Sequence, residues 1–196
     1  NKEQKKNYIS EMETHYWSAS ATSKVSMLQQ PCMAGTRWQH DQVTFQFLHP
    51  ENHSASINAD DGALRHKANN QSCVLRISSG DTVVLLTGDI EKTVELALVD
   101  NHKALLAATV LVAPHHGSRT SSSWPFVKAV TPDYVIFSSG YKNQFSHPHR
   151  NIASRYHSVG SNALTTSSSG AIEFCLCDGK LSKPWQARMA MQRYWL

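Results

Sequence analysis

From residue 43 onward, apolar and polar positions alternate in a way that predicts a succession of strands and helices. Val43, Phe45 and Phe47 alternate with Thr44, Gln46 and Leu48, a strand with one packed face that His49-Pro50 ends. Residues 51–71 are polar and punctuated by Asn and Gly, which predicts a long loop, and loops of that length tend to carry function. Two apolar runs, residues 72–77 and 82–86, flank Ser78-Ser79-Gly80-Asp81 and predict a hairpin. After Thr87-Gly88-Asp89 the period lengthens: Ile90, Val94, Leu96, Ala97 and Leu98 fit a helix with Glu91, Lys92 and Glu95 outside. Strand, polar loop and helix then recur twice. Residues 109–113 read as a buried strand, 114–122 as a loop and 123–130 as a short helix, with Pro125 tolerated in its first turn. Residues 133–137 form the next strand, 138–147 the next loop, and a helix runs from Pro148 to a stop at Gly160.

Residues 170–177 predict a terminal strand turned at Asp178-Gly179. The aromatic and basic tail, residues 181–196, fits an edge strand or a short amphipathic helix. Residues 1–40 carry little pattern and suit material that leans on other structure. The alternation of strand, loop and helix is that of a layered α/β domain, and residues 1–196 read as one domain that is incomplete at its amino end.

Length and composition narrow the class. A chain of 196 residues with 40% apolar and 17% charged positions fits one globular core and excludes a disordered chain. The longest apolar runs, residues 83–86 and 107–114, fall far short of the roughly 20 residues a membrane-crossing helix needs. Residues 1–7 are polar and lysine-rich, unlike a secretory signal peptide. A net charge of +4 permits an anionic ligand without demanding one. The cysteines match no zinc ribbon; Cys73 and Cys175 sit in apolar runs and read as core thiols, and the even count does not by itself indicate an oxidising compartment.

Candidate chemistry gathers after three successive strands. Asp89 follows the first, His115 and His116 the second, and His147 and His149 close the loop after the third. Loops at the carboxyl ends of neighbouring strands meet at one sheet edge, and a carboxylate with several imidazoles there suits a transition metal. Plainer roles exist for each: Asp89 as a helix cap, His115 and His116 as a satisfied loop pair, His147 and His149 as caps of the next helix. Recurrence at three strand ends favours the functional reading. Directly after the histidine pair, the hydroxyls of Ser118 and Thr120 and the guanidinium of Arg119 suit phosphate oxygens, although a solvated serine loop would look the same. Asn69 and Asn70 either orient something at this edge or turn the chain.

Three stretches taken together resemble a known family: Leu85-Leu86-Thr87-Gly88-Asp89, Ala113-Pro114-His115-His116-Gly117-Ser118 through Ser123, and Ser139-Gly140-Tyr141 through His147-Pro148-His149. With residues 38–50, 69–75 and 170–172, they resemble the metallo-β-lactamase-like domain of bacterial DNA-internalisation competence proteins, over about residues 35–176. The resemblance implies the carboxyl-terminal portion of an αββα sandwich holding two divalent metal ions, manganese or zinc, that share a hydroxide. It implies Asp89 as the bridging carboxylate, His115 as the late histidine ligand, and His147 as a further metal or phosphate contact. Asn70, Ser118, Arg119 and Thr120 would contact substrate phosphate, and His149 would protonate the leaving oxygen or contact the next phosphate.

The implied activity is hydrolysis of DNA phosphodiesters during uptake. Single-stranded DNA and the membrane channel portion of a longer inner-membrane protein would be partners, with this domain on the periplasmic or extracellular side. One departure is large: the family's His-x-His-x-Asp-His element is absent, and His147-Pro148-His149 continues into Arg150-Asn151 instead. The expectation is therefore a chain that binds metal weakly or not at all, is inactive in isolation and is open to homodimerisation at a sheet edge. The alternatives are a catalytically degenerate DNA-binding or structural domain, and a hydrolase of small esters or lactones.

Overall fold

A computed structural model describes residues 31–51, 68–177 and 180–191. The expectations for residues 1–30, for most of the long polar loop, for the Asp178-Gly179 turn and for the last five residues lie outside the described residues. The first strands are β1 (Arg37–His40) and β2 (Val43–His49), an antiparallel pair joined at Asp41 and Gln42. Both turn residues have positive φ, 46° and 65°, the handedness that lets a two-residue turn follow strand twist. Neither is glycine or asparagine, so the sequence carries no turn signal there and does not predict β1. Trp38 stacks on Phe45 across the pair, with ring centroids 5.0 Å apart. β3 (Val74–Ser79) and β4 (Thr82–Leu86) form the expected hairpin around Gly80-Asp81.

From β4 onward strands and helices alternate: α1 (Lys92–Leu106), β5 (Val110–Val112), α2 (Trp124–Val130), β6 (Tyr134–Phe137), α3 (Arg150–Ser158) and β7 (Asn162–Thr165). Among the described residues the main sheet has seven strands in sequence order, with β4 to β7 parallel. Because parallel crossovers are right-handed and the strands advance in one direction, α1, α2 and α3 fall on the same face. One buried cluster reports that packing: Leu85, Leu111, Val135 and Phe137 from the sheet meet Val94, Leu98, Phe126, Val130, Ile152 and Tyr156 from the helices. Burying each such side chain contributes about 1.5–3 kcal/mol. The fold is mixed α/β.

The structure corrects the sequence reading at three places. Glu95, placed outside on the helical pattern, is fully buried. Residues 162–165 form the edge strand β7, whose short Asn-Ala-Leu-Thr sequence and exposed first positions offer no alternation to read. Cys73 is joined to Cys32 by a disulfide, and Cys175 is also disulfide-bonded, so neither is a core thiol. Beyond β7 lie α4 (Thr166–Ser169), β8 (Ile172–Glu173), β9 (Leu176–Cys177), β10 (Lys180–Leu181), β11 (Trp185–Gln186) and α5 (Ala187–Ala190), so the tail supplies both a short strand and a helical turn. No helix among the described residues is long and apolar enough to cross a membrane.

Candidate functional site

The carboxyl ends of β4, β5 and β6 lie side by side, so the segments after them, residues 87–91, 113–123 and 138–149, share one edge of the sheet. The start of β3 joins them because Leu75 pairs with Leu86 in the antiparallel register. That brings the turn at Ala68–Gln71 beside Asp89. Ser72 Oγ accepts the Asp89 amide at 3.0 Å, and Asn70 Oδ1 accepts the Glu91 amide at 2.9 Å. The Asn70 carbonyl lies 2.9 Å from the buried His49 Nε2. A register shift between Phe47 and His49 in the β2–β3 pairing is what turns His49 toward it. Gly88 is needed for closeness: its φ is +54°, and a Cβ there would sit 2.7 Å from Ser72 Cβ.

The histidine pair occupies unusual backbone. His115 and His116 have φ of 47° and 56°, left-handed values that cost a side-chain-bearing residue about 1–3 kcal/mol each. The strained turn is held from both sides, by His115 N–H donating to Gly88 O at 3.0 Å and Ser118 N–H donating to His115 O at 2.8 Å. Its result is to aim two successive imidazoles at one place. His115 Nδ1 lies 3.2 Å from Thr120 Oγ1 and 3.7 Å from Glu91 Oε1, and its Nε2 lies 3.4 Å from Asn69 Nδ2. An Nδ1-protonated ring fits these contacts: Nδ1–H donates to Thr120 Oγ1 with the Glu91 carboxylate nearby, and Nε2 accepts from Asn69. His116 Nε2 lies 3.4 Å from Asp89 Oδ1.

His147 completes the cluster from the neighbouring loop, its ring centroid 6.1 Å from that of His115, 6.4 Å from His116 and 5.3 Å from His149. Burial, then the neighbouring imidazoles of His149, His115 and His116, hold the His147 imidazole below the ordinary histidine pKa, with Asp89 opposing. Asn143 positions it by a two-way bond: Nδ2 donates to His147 O and Oδ1 accepts His147 N–H, both at 2.8 Å. The two loops meet where His149 N–H donates to Gly117 O at 3.1 Å.

The serine run is fixed from within. Glu95 on α1 receives the backbone N–H groups of Ser122 and Ser123, the latter at 2.7 Å on Oε2. Tyr156 on α3 donates its hydroxyl to Ser122 Oγ at 3.0 Å, and Arg155 donates to Ser122 O at 2.7 Å. Ser121 Oγ reaches Pro114 O at 2.8 Å. Burial raises the Glu95 carboxyl pKa, against the opposing pull of these hydrogen bonds and of Arg155.

Asp89, His115, His147 and His149 lie on the same edge of the sheet. His116 Nε2 faces the Asp89 carboxylate, Asn69 backs His115, and Glu91, which the helical pattern leaves outside, joins it there. Asp89 does not cap α1, whose cap position is Glu91, and His149 holds the cap position of α3 without a side-chain bond. Arg119 and Thr120 are exposed beside the cluster, whereas Ser118 is buried with its hydroxyl 3.2 Å from that of Thr120. Asn70 is buried and spends its side-chain oxygen on Glu91, which makes it framework. The spacing of the Asp89 and His116 donors, 3.4 Å, matches the edge of a tetrahedral site with bonds of roughly 2.1 Å. Two donors are not a site, however, and among the described residues no three His, Cys, Asp or Glu side chains converge closely enough to hold an ion.

No protein-family model matches the chain. Competence protein ComA of Neisseria gonorrhoeae is 42% identical over 146 residues, 74% of this chain and 20% of that protein. Recombination protein 2 of Haemophilus influenzae is 33% identical over 166 residues, 81% of this chain and 19% of that protein. ComE operon protein 3 of Bacillus subtilis is 33% identical over 122 residues, 62% of this chain and 15% of that protein. The chain spans at most a fifth of the length of these curated relatives. These similarities relate the chain to the competence proteins, as the counterpart of one segment of a longer polypeptide.

Proposed function

We propose that this chain forms part of a site that hydrolyses phosphodiesters of single-stranded DNA during DNA uptake. The observation that carries the reading is the convergence of Asp89 with four imidazoles beside the exposed Arg119, on the edge where such sheets bind ligands. The competence names of the relatives support the process, and the cationic edge supports an anionic substrate. The Cys32–Cys73 disulfide supports a compartment more oxidising than the cytosol, which agrees with a domain on the periplasmic or extracellular side of an inner-membrane protein.

The residues present have separable roles. Arg119 and the Thr120 hydroxyl, both exposed, hold phosphate oxygens, and the Arg119 guanidinium supplies the charge-assisted contacts. Glu91 and Thr120 fix the ring of His115 through Nδ1, and Asn69 faces its Nε2 at 3.4 Å, so a ligand or proton taken up at that nitrogen displaces Asn69. His149, whose ring lies 5.3 Å from that of His147, moves a proton to the departing oxygen. The manganese or zinc ions implied by the family resemblance require more donors than converge among the described residues, so no step is assigned to them. The exposed Arg119 and Thr120 also suit a second reading, a DNA-binding module without catalysis.

The test is cleavage of a single-stranded oligonucleotide by the longer protein that carries this segment, with Asp89→Ala and His115→Ala compared with wild type. Loss of about a hundredfold or more in rate is expected for each. Wild-type cleavage by Asp89→Ala would sink the hydrolytic reading; bound but uncut DNA in the wild type would establish the second.

A further inference from the structure

Beside Thr120, whose hydroxyl lies 3.2 Å from His115 Nδ1, is an open depression of about 290 Å³, lined by Lys92, Arg119, Thr120, Trp124, Pro125 and Arg155 among others. We propose that it is a subsite for one nucleotide of a single-stranded nucleic acid, with its phosphate among Lys92, Arg119 and Arg155 and its base against Trp124. The inference rests on the reading of the neighbouring cluster as a phosphodiester site, and extends it to how the strand is gripped.

Three cations surround one small concavity. Ser123, which also lines the depression, and Ser122 donate their amides to the buried carboxyl of Glu95. Arg155 is held by its bond to Ser122 O at 2.7 Å, and that bond uses one of five donors, leaving a fixed guanidinium at the rim. Lys92 opens α1, and its backbone N–H is bonded to Thr120 O at 2.9 Å, which ties the helix start to the loop that carries Arg119.

Trp124 is 44% exposed, although its neighbour Phe126 is fully buried. An indole left half in solvent beside three cations is poorly explained by packing and well suited to stacking on a base. Lys128 Nζ lies 5.8 Å from the Trp124 ring centroid and adds a further positive charge. The volume falls at the lower end of ligand cavities, roughly 300 Å³, which suits a single nucleotide. A duplex would keep its bases stacked on one another and away from Trp124, so the geometry selects single strands. Thr120 links the two places, since its hydroxyl lies 3.2 Å from His115 Nδ1. A strand presenting a phosphate to the histidines would lay an adjacent nucleotide on Trp124.

The experiment is anisotropy titration of this chain with a fluorescently labelled hexathymidylate and with a hexamer of abasic deoxyribose phosphates, in chelator so that no metal chemistry enters. The thymidylate should bind about tenfold more tightly than the abasic strand, and Trp124→Ala should abolish that preference. Trp124→Phe, which keeps an aromatic face, should retain part of it, and thermal melts establish that each variant is folded. Lys92→Gln should lower the slope of log K against log salt by about 0.7, one phosphate contact on a single strand. Equal binding of the two strands by wild type, no binding of either, or a preference that survives in folded Trp124→Ala overturns the proposal. Because no cleavage is read, an inactive histidine cluster would leave these results unchanged, and a failed subsite would leave the cleavage test standing.

Discussion

The loops after β5 and β6 bring histidines to the same place and are built in opposite ways. Residues 113–123 are fastened to the interior: Glu95 holds two of their amides, Tyr156 and Arg155 hold Ser122, and Ser121 folds back on Pro114. Residues 138–149 are tied down only at their ends, Ser139 to the Thr166 hydroxyl and His149 to Gly117, and hold themselves in between. Asn143 spans the loop to His147 and Gly140, and Tyr141 and Phe145 point outward at 69% and 62% exposure. One loop is therefore a fixed wall whose geometry is inherited from α1 and α3, and the other is a surface arch. The difference teaches that the strained left-handed histidine pair sits where the scaffold is strong enough to impose it, while His147 and His149 approach on the part of the edge best able to adapt to a ligand.

The largest break in this comparison comes from Glu95→Ala. It leaves two buried amides without acceptors and a cavity beside Arg155, and should cost about 3–5 kcal/mol of unfolding free energy in urea titration. A loss under about 1 kcal/mol, the worth of one ordinary hydrogen bond, would show that the wall does not depend on the interior carboxylate. Next in size is Gly117→Ala, at the seam between the loops. Gly117 has φ of +81°, and a Cβ there would stand 2.7 Å from Pro148 Cβ and 2.8 Å from a ring carbon of the buried Phe137. Overpacking and left-handed backbone together should cost about 2–4 kcal/mol. The expected signature is loss of protection of the His149 amide from hydrogen exchange while the β3–β4 hairpin amides stay protected; an unaltered His149 amide would mean that the loops are not joined there.

The contrast also explains what the sequence discloses. Asp89, the histidine pair and the His147-Pro148-His149 segment are legible because each follows an apolar run of strand length, and chemistry at strand ends is a positional signal. The parallel sheet is legible for the same reason, apart from β7, too short and too exposed to alternate. Glu95 is not legible, since a glutamate in the first turns of an amphipathic helix reads as solvent-facing unless its distant partners, Ser122 and Ser123, are known. The hydroxyls of the serine run suggest phosphate, yet the structure uses Ser122 and Ser123 chiefly through backbone N–H. Nothing in the sequence ranks His116 beside His115, and only the positive φ at both residues shows that the two rings can share one site. The disulfide is out of reach because Cys32 lies in a stretch without pattern.

Asn143→Ala sharpens the comparison on the side of the arch. It removes the acceptor of the His147 amide and the donor to its carbonyl, in a partly exposed setting, for a cost of about 1 kcal/mol. Amide exchange at His147 should quicken about fivefold to tenfold, with Ser122 and Ser123 unchanged. Quickening at Ser123 as well would mean that the two loops open as one unit.

The finest discrimination comes from Glu95→Gln compared with wild type across pH. Burial raises the Glu95 pKa in the folded state above its unfolded value, so the folded chain keeps the proton at pH values where the unfolded chain has released it. The Glu95 contribution to stability is then fully present below the unfolded carboxylate pKa. It declines as pH rises through the window up to the raised folded value and is flat beyond it. The slope cannot exceed about 1.4 kcal/mol per pH unit for one proton. The substituted amide does not titrate, so subtracting the stability of this variant removes the contributions of the other carboxylates and of the histidines. Urea midpoints from about pH 4 to about pH 8, a span that starts near the unfolded carboxylate pKa, should show wild type losing ground to Glu95→Gln as pH rises. Wild type instead gaining on Glu95→Gln as pH rises would mean that the two amides and Arg155 outweigh burial and hold Glu95 ionised, making the wall an ion-centred structure rather than one closed around a neutral acid.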